Sequence, residues 1–399
     1  MNLSEIQALD EKYYMNTFGK RTPVAFERGE GIHLWATDGK KYTDFFAGIA
    51  VNVLGHSHPD IVKAVQDQAG KMLHCSNLYY IESQAELAQI ICENSCADKV
   101  FFANSGAEAN EGAIKLARIY FKKKGQSEKT DFICLNKSFH GRTLTTATAT
   151  GQPKYNKPFT PLTPGFTHVN INDFEALEAA VTDKTCAIML EPVQGESGVY
   201  PLDPDYAKKV RQLCDEKGIL LIFDEVQTGI GRTGCLFGYE RLGVEPDIFT
   251  LAKALGGGVP IGAVCAKDAI ATGFEPGDHG STFGGNPLAC SAGLAVMRRV
   301  LIDNIVEKVG EVSTYMMEKL EALKKSTGKI SEIRNAGHMY GIVLASETAG
   351  VVRGKLFEKG WLVGSVGTNV LRVLPPLIIE NKDVDDFMEV LNETLIELV

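Results

Sequence analysis

The stretch TLAKALGGGVPIGA (250–263) carries one lysine, Lys253, among apolar neighbours and just ahead of three consecutive glycines. A lysine ordinarily keeps its ammonium in water. One drawn out of water loses part of its affinity for a proton and becomes a nucleophile toward carbonyl groups; the plainer reading is a lysine that snorkels from a strand end. Two carboxylates, Asp224 and Glu225, close the intensely apolar run ILLIFDEVQTG (219–229). Burying a carboxylate is costly unless a cation answers it. The pair therefore implies either a local arginine such as Arg232, or a carboxylate held for a cationic ligand group or a metal. Alternation along a strand sends the two side chains opposite ways, so at most one faces a given pocket. In ANSGAEAN (103–110), Ser105, Gly106 and Ala107 lie between an apolar run and a helical pattern. Free N–H groups and the positive end of a helix dipole make a phosphate cradle there, although Ser105 could equally be an ordinary helix cap. Finally, KSFHGRTL (137–144) sets Phe139 and Arg142 three residues apart. Arg142 can clamp a carboxylate bidentately, or lie on a surface turn.

One ligand uses all of these groups. Pyridoxal 5′-phosphate needs a lysine to form a Schiff base with its aldehyde, and N–H donors for its phosphate. It also needs an acidic partner that keeps its pyridine nitrogen protonated, so that the ring can accept electrons. Each signal is ambiguous alone; the set is specific.

The elements around these residues define a fold class. Short continuous apolar runs recur at KVFFAN (99–104), DFICL (131–135), CAIMLEP (186–192), ILLIFDE (219–225), IFTLA (248–252) and IGAVCA (261–266), with helical patterns between them. Such alternation predicts an α/β fold with a mostly parallel central sheet sandwiched by helices, whose ligands collect at the carboxyl ends of the strands. Pro59 opens one helix, Ser83 and Glu86 form a capping box for the next, and Gly218 stops a helix over 205–217. Residues 31–46 read as a β-hairpin turning at Asp38-Gly39. Past residue 300 a long helical run (300–325) leads to shorter elements and a terminal amphipathic helix near 383–398, a smaller α+β domain. The expected division is an N-terminal segment (1–50) whose hairpin joins the small domain, a large cofactor-binding domain (51–300) and the C-terminal small domain (301–399).

Bulk properties narrow the partners. A chain of 399 residues with 44% hydrophobic and 23% charged residues can bury a sizeable core. Its formal charge of −9 argues against nucleic acid or an anionic membrane as partner. The nine cysteines are scattered, with no pair at zinc-ribbon or redox spacing. That usage, with a polar start (MNLSEIQALDEKYY) and no apolar run near bilayer length, leads to the expectation of a cytoplasmic protein with reduced thiols.

The order of motifs resembles the class III (fold type I) pyridoxal-phosphate-dependent aminotransferases over nearly the whole chain. It runs through LGHSHPDIVKAV, NSGAEANEGAIKLAR, FHGRT, EPVQGE, LLIFDEVQTGIGRTG, LAKALGGGVPIGA, STFGGNPLAC and LRVLPPL. The resemblance implies roles. Lys253 would form the Schiff base and move the proton, Asp224 would pair with the pyridine nitrogen, and Gln227 would lie near the phenolic oxygen. Ser105, Gly106 and Ala107 would hold the phosphate with Thr282 of a partner subunit, Phe139 and Val226 would cover the ring faces, and Glu225 would border the cofactor. Within the class the sequence is most similar to the N2-acetylornithine type, a step of arginine biosynthesis. There Arg142, with the partner's Ser281 nearby, would hold the N2-acetylornithine carboxylate. Arg372 would hold the α-carboxylate of glutamate or 2-oxoglutarate, and Glu196 would neutralise Arg372 in the other half-reaction. The implied assembly is a homodimer with shared active sites. Ala107 and Ser197 depart from the threonine and glycine expected at those positions, and AGHMYGIVL (336–344) is looser than the usual pattern.

Two other readings start from single motifs. GIGRTG (229–234) satisfies G-x-G-x-x-G, as in a nicotinamide-binding dehydrogenase, but five residues separate it from the strand and a poor helix follows. His56 and His58 could ligate a metal, but they precede a proline-started helix with no further ligand nearby, so no metal site is expected. Inside the class, the ornithine, succinylornithine, succinyldiaminopimelate and 4-aminobutyrate enzymes share most of the motifs; His140 fits the N2-acetylornithine type better than the ornithine type.

Overall fold

The computed structural model describes residues 1–398. At its centre lies a seven-stranded sheet in the order Lys99–Ala103, Gly262–Ala266, Ile248–Leu251, Leu220–Asp224, Thr185–Leu190, Asp131–Leu135, Phe166–Val169. The last five run parallel, whereas Gly262–Ala266 is antiparallel to both its neighbours. Three of the central strands are buried at every position, as continuous apolar runs covered on both faces require. Alternate residues feed two separate cores. Leu221, Phe223 and Leu251 pack with Leu87, Val210 and Met297 on one face, while Ile222, Met189 and Val264 pack with Ala113, Ile114 and Ala117 of the helix Gly106–Lys123 on the other.

Local chemistry sets the helix ends. The helix Pro204–Lys217 starts at Asp203, whose carboxylate accepts from Asp205 N and Tyr206 N, and stops at Gly218 in the left-handed conformation (φ 59°). The expected capping box at Ser83 and Glu86 does not form. Its helix, Glu82–Glu93, begins two residues earlier at an Ile81 cap with no side-chain bond. Ser83 then donates to Pro287 O (3.3 Å) and Glu86 pairs with Arg298 (2.7 Å), both on the neighbouring helix. The long run expected over 300–325 is two helices, Pro287–Ile302 and Ile305–Thr327. Asn304 breaks them apart with φ 51°, a conformation asparagine tolerates better than most residues.

The N-terminal hairpin, His33–Ala36 with Lys41–Asp44, forms as expected, and Lys41–Asp44 also pairs in parallel with Trp361–Leu362. Ile32 and Phe45 share a core with Trp361, Phe387 and Leu391. A second antiparallel sheet, Ile330–Ala336, Met339–Leu344, Val370–Val373 and Gly364–Val366, carries Arg372. An apolar cluster of Val193, Val199, Met339 and Leu374 joins it to the large unit, and Arg232, on the turn after Leu220–Asp224, adds a polar tie. That arginine answers neither Asp224 nor Glu225: it is fully buried and donates to His338 O (3.2 Å) and Pro375 O (2.5 Å). The GIGRTG segment is thus a buried turn joining two sheets, not a nucleotide loop opening a helix. His56 and His58 are also structural: His56 bonds Asp44 (2.8 Å) and His58 caps the helix Pro59–Lys71. Among the described residues no helix is long and apolar enough to cross a membrane.

Gly262 shows how tightly the central sheet meets the turn at Ser105. A Cβ there would sit 2.3 Å from Ser105 O, so Gly262→Ala must displace that turn. The expected cost is about 1–3 kcal/mol of unfolding free energy. Gly310→Ala, in an exposed part of a helix where a Cβ meets nothing, should stabilise by about 0.5–1 kcal/mol. Denaturant melts of the two variants check both signs.

Candidate active site

A cavity of ≈ 400 Å³ opens where the strands Leu220–Asp224 and Ile248–Leu251 end and the helix Gly106–Lys123 begins. Lys253, Asp224 and Gly106 all line it. The strand under Lys253 ends at Leu251; Lys253 then takes a left-handed φ of 43° and opens a single turn to Gly256. Such a φ is strained for a residue with a Cβ, and buried Leu251, Ala254 and Leu255 hold it in place. Among the described residues, the Lys253 ammonium has no hydrogen-bond or ion-pair partner. Loss of solvent lowers its pKa; Asp224 opposes this, Arg372 reinforces it, and Glu191 and Glu196 oppose it more weakly.

Asp224 is held from three sides. Its Oδ2 accepts from Asn110 Nδ2 (2.7 Å) and bonds His140 Nδ1 (2.8 Å), and its Oδ1 accepts from Val226 N (3.0 Å). Asn110 is itself fixed, donating to His140 O (2.8 Å) and accepting from Thr250 Oγ1 (2.7 Å). Opposite a carboxylate, His140 Nδ1 must be the protonated nitrogen, which leaves the buried Nε2 without a partner. Glu225 is a correction to the expected site. It points away from the cavity and accepts from Gly238 N (2.9 Å), Tyr239 N (2.7 Å) and the Thr228 hydroxyl, because strand alternation allows one of the two neighbours to face the ligand. Burial pushes its pKa up to about 7, against those three hydrogen bonds.

At the helix start, Ser105 Oγ accepts from Glu108 N (3.2 Å) and Ser105 O from Ala109 N (3.0 Å). The N–H groups of Gly106 and Ala107 are left without a partner among the described residues, and both residues line the cavity. Gly106 is required where it stands, since a Cβ would lie 2.7 Å from Val226 Cγ1. Phe139 and Val226 both line the cavity, and Phe139 N donates to Glu191 (3.1 Å). Gln227 Oε1 is buried without a partner; the amide turned by 180° offers an N–H to an oxygen anion instead. An unpaired amine, a fixed carboxylate, two free N–H groups at a helix start and an unsatisfied amide fit the aldehyde, ring nitrogen, phosphate and phenolic oxygen of pyridoxal 5′-phosphate.

Two arginines are differently placed. Arg372, 5% exposed, donates through Nη1 to Glu196 Oε2 (2.7 Å) and Gly195 O (3.0 Å). Arg142 lines the cavity with no carboxylate partner among the described residues, and its guanidinium carbon lies 3.8 Å from the centre of the Tyr155 ring. Ser281 Oγ accepts from Asn104 Nδ2 (3.2 Å) at the cavity's edge. Thr282 is exposed and does not border the cavity of its own chain.

Sequence reasoning gave no role to Glu191, Asn110 or Tyr155. Glu191 carried a usable signal, since it directly follows the apolar run Cys186–Leu190 of a wholly buried strand. It is buried in the cavity wall, and burial, with Asp224 nearby, raises its pKa. Asn110 sits on the apolar face of its helix beside Ala109 and Ala113, a polar residue out of pattern.

A mostly parallel sheet that presents a lysine, a strand-end carboxylate and a helix N-terminus to one cavity defines a fold type I pyridoxal-phosphate-dependent enzyme. The chain belongs to the class-III aminotransferases, whose family model matches residues 14–395. It is 53% identical over 389 residues to the acetylornithine aminotransferase of Caldanaerobacter subterraneus subsp. tengcongensis, with 98% of each chain covered. Among solved structures, the ornithine aminotransferase of Toxoplasma gondii superposes with a TM-score of 0.94 at 31% identity, covering 99% of this chain and 95% of that one. The acetylornithine aminotransferase of Elizabethkingia anophelis gives 0.89 at 34% identity, with 100% of both chains covered.

The lowered pKa of Lys253 has a consequence for the cofactor-free protein. Between that lowered value and the ordinary 10.5, the unfolded chain binds more protons than the folded one, so stability rises with pH. Lys253→Met should therefore unfold at a higher temperature than the parent at about pH 7, with the gap narrowing toward about pH 9.5. Thermal melts of both cofactor-free proteins measure it; a gap that widens with pH contradicts the assignment.

Proposed function

We propose that the chain transfers the δ-amino group of N2-acetylornithine to 2-oxoglutarate, giving N-acetylglutamate 5-semialdehyde and glutamate. The observation that carries this reading is a free guanidinium, Arg142, in the cavity wall, together with a second one, Arg372, buried behind the wall residue Glu196 that neutralises it. When bound, pyridoxal phosphate supplies a carbonyl that takes up the amino group and a ring that draws electrons from the neighbouring carbon. Lys253 Nζ, whose affinity for a proton is lowered, would move the proton between the substrate carbon and the cofactor's carbonyl carbon. Asp224 holds its carboxylate at the ring nitrogen, steadied by His140 and Asn110. Gly106 and Ala107 offer their N–H groups to the phosphate, and Phe139 and Val226 confine the ring.

The arginines divide the substrates. An amine at the end of a side chain brings no carboxylate to the reacting carbon, so Arg372 stays paired with Glu196 while Arg142 takes the distant α-carboxylate of N2-acetylornithine. Glutamate brings its α-carboxylate to the reacting carbon, and this displaces Glu196 from Arg372. Recognition by exchange of one carboxylate for another discriminates through charge.

The reading extends to a homodimer. Leu78, Tyr79, Tyr80 and Phe283 are exposed, and they flank the link from Asn77 Nδ2 to Ser281 O (3.0 Å). A second copy covering this apolar rim would receive Ser281 and Thr282 at its own phosphate and substrate sites. The nine unpaired cysteines fit a reducing, cytoplasmic setting.

An amine-donor panel with 2-oxoglutarate tests the substrate: N2-acetylornithine should lead ornithine, N2-succinylornithine, succinyldiaminopimelate and 4-aminobutyrate in kcat/KM. Losing a charged partner for a carboxylate costs about 2–5 kcal/mol. Arg142→Ala should accordingly raise KM for N2-acetylornithine by about 30-fold or more, and Arg372→Ala should do the same for glutamate. The reverse pattern would overturn the division of roles.

A further inference from the structure

Tyr155 touches both arginine systems. It sits on the single turn Pro153–Asn156, which is tied to the loop carrying Phe139. Gln152 Nε2 donates to Lys137 O (3.3 Å) and Ser138 O (3.0 Å), and Asn156 Nδ2 donates to Thr150 O (3.2 Å). The ring packs edge-on against Phe139, with centroids 5.5 Å apart. Arg142 lies over it at 3.8 Å, and Lys154 Nζ is 4.5 Å from its centre. The hydroxyl is 3.4 Å from Glu196 Oε1, the carboxylate oxygen that Arg372 leaves free, since Arg372 bonds Oε2.

These contacts do separate work. A guanidinium over an aromatic face is attracted to it and keeps the N–H groups in its own plane available for a carboxylate. The ring therefore fixes where Arg142 presents its donors. The hydroxyl is the second partner of Glu196, after Arg372, and so favours the closed pair that keeps an α-carboxylate out. We propose that Tyr155 is a specificity-determining positioning residue: its ring sets Arg142 for the δ-amine substrate, and its hydroxyl holds Glu196 on Arg372 against glutamate. The inference rests on the two-arginine reading given above. It assigns both effects to one side chain, and they have opposite signs.

The test uses the cofactor-loaded enzyme in single half-reactions, with N2-acetylornithine alone and with glutamate alone. A third arm measures binding of glutarate, a dicarboxylate with no amine to transfer, by calorimetry. Tyr155→Phe removes only the hydroxyl. A single hydrogen bond is worth about 0.5–1.5 kcal/mol, so KM for glutamate and Kd for glutarate should fall by about 2- to 10-fold. KM for N2-acetylornithine and both kcat values should stay within about twofold of the parent. Tyr155→Leu removes the ring and should raise KM for N2-acetylornithine by about 5- to 30-fold. If Tyr155→Leu does not accumulate as folded protein, Tyr155→Phe carries the test, together with its effect in a Glu196→Ala background, where the gain in glutarate binding should vanish. Unchanged glutarate binding in Tyr155→Phe, or a gain that persists without Glu196, overturns the proposal. A parent enzyme inert toward N2-acetylornithine instead refutes the substrate reading, and the glutamate and glutarate arms still decide the role of the hydroxyl.

Discussion

A carboxylate fixed at the end of a fully buried strand sets the terms for everything around it. Asp224 ends Leu220–Asp224, a strand buried at every position, and removing it from water without partners would cost several kcal/mol. The fold answers with two donors from far along the chain, Asn110 from the helix Gly106–Lys123 and His140 from the loop after the next strand, and with the adjacent main chain of Val226. Thr250, on the adjacent strand, fixes Asn110 from behind. Three donors thus converge on one oxygen pair, and Lys253 is delivered by the strand that carries Thr250. A group bound at Asp224 would therefore meet a lysine whose position follows from the same hydrogen-bond network.

Close backbone approaches complete the cavity, and glycine permits them. Gly106 accommodates Val226, Gly262 accommodates the Ser105 carbonyl, and a Cβ on Gly195 would fall 1.8 Å from Gln227 Oε1. Each glycine brings a different pair of segments together, so the helix start at Ser105, the wall at Val226 and the side of the cavity at Gln227 depend on separate absences of a side chain. The strain at Lys253 belongs to the same economy. Its left-handed φ is sustained by buried neighbours on either side.

The residues legible in the sequence were those whose type conflicts with their immediate surroundings. Lys253 and Asp224 stand out because charge follows unbroken apolar runs, and the cradle at Ser105 to Ala107 because a strand passes into a helix there. Glu225 has the same surroundings as Asp224, and the direction of the pleat, which no composition reveals, turns it toward Gly238 and Tyr239. Tyr155 carries no local anomaly at all. Its meaning comes from Arg142 and Glu196, 13 and 41 residues away in sequence. The capping box at Ser83 and Glu86 failed for a related reason: a tertiary partner, the helix Pro287–Ile302, outcompeted a local hydrogen bond. The sheet order and the reversed strand Gly262–Ala266 likewise depend on pairings across long loops, which periodicity alone cannot register.

The pairing of Arg372 with Glu196 has an energetic logic of its own. Breaking a buried ion pair by taking away one partner costs about 3–5 kcal/mol, so Glu196 can leave Arg372, which is 5% exposed, only when another anion takes its place. Glu196 is more exposed than its partner and can move toward solvent at lower cost. In the proposed reaction an incoming α-carboxylate would replace one anion by another at the guanidinium, and the net change in buried charge would be close to zero. A substrate with a bare methylene at the same place leaves the pair intact. A pocket built this way would accept two unlike substrates in turn without rebuilding its walls, because the adjustable part is a single carboxylate at its edge.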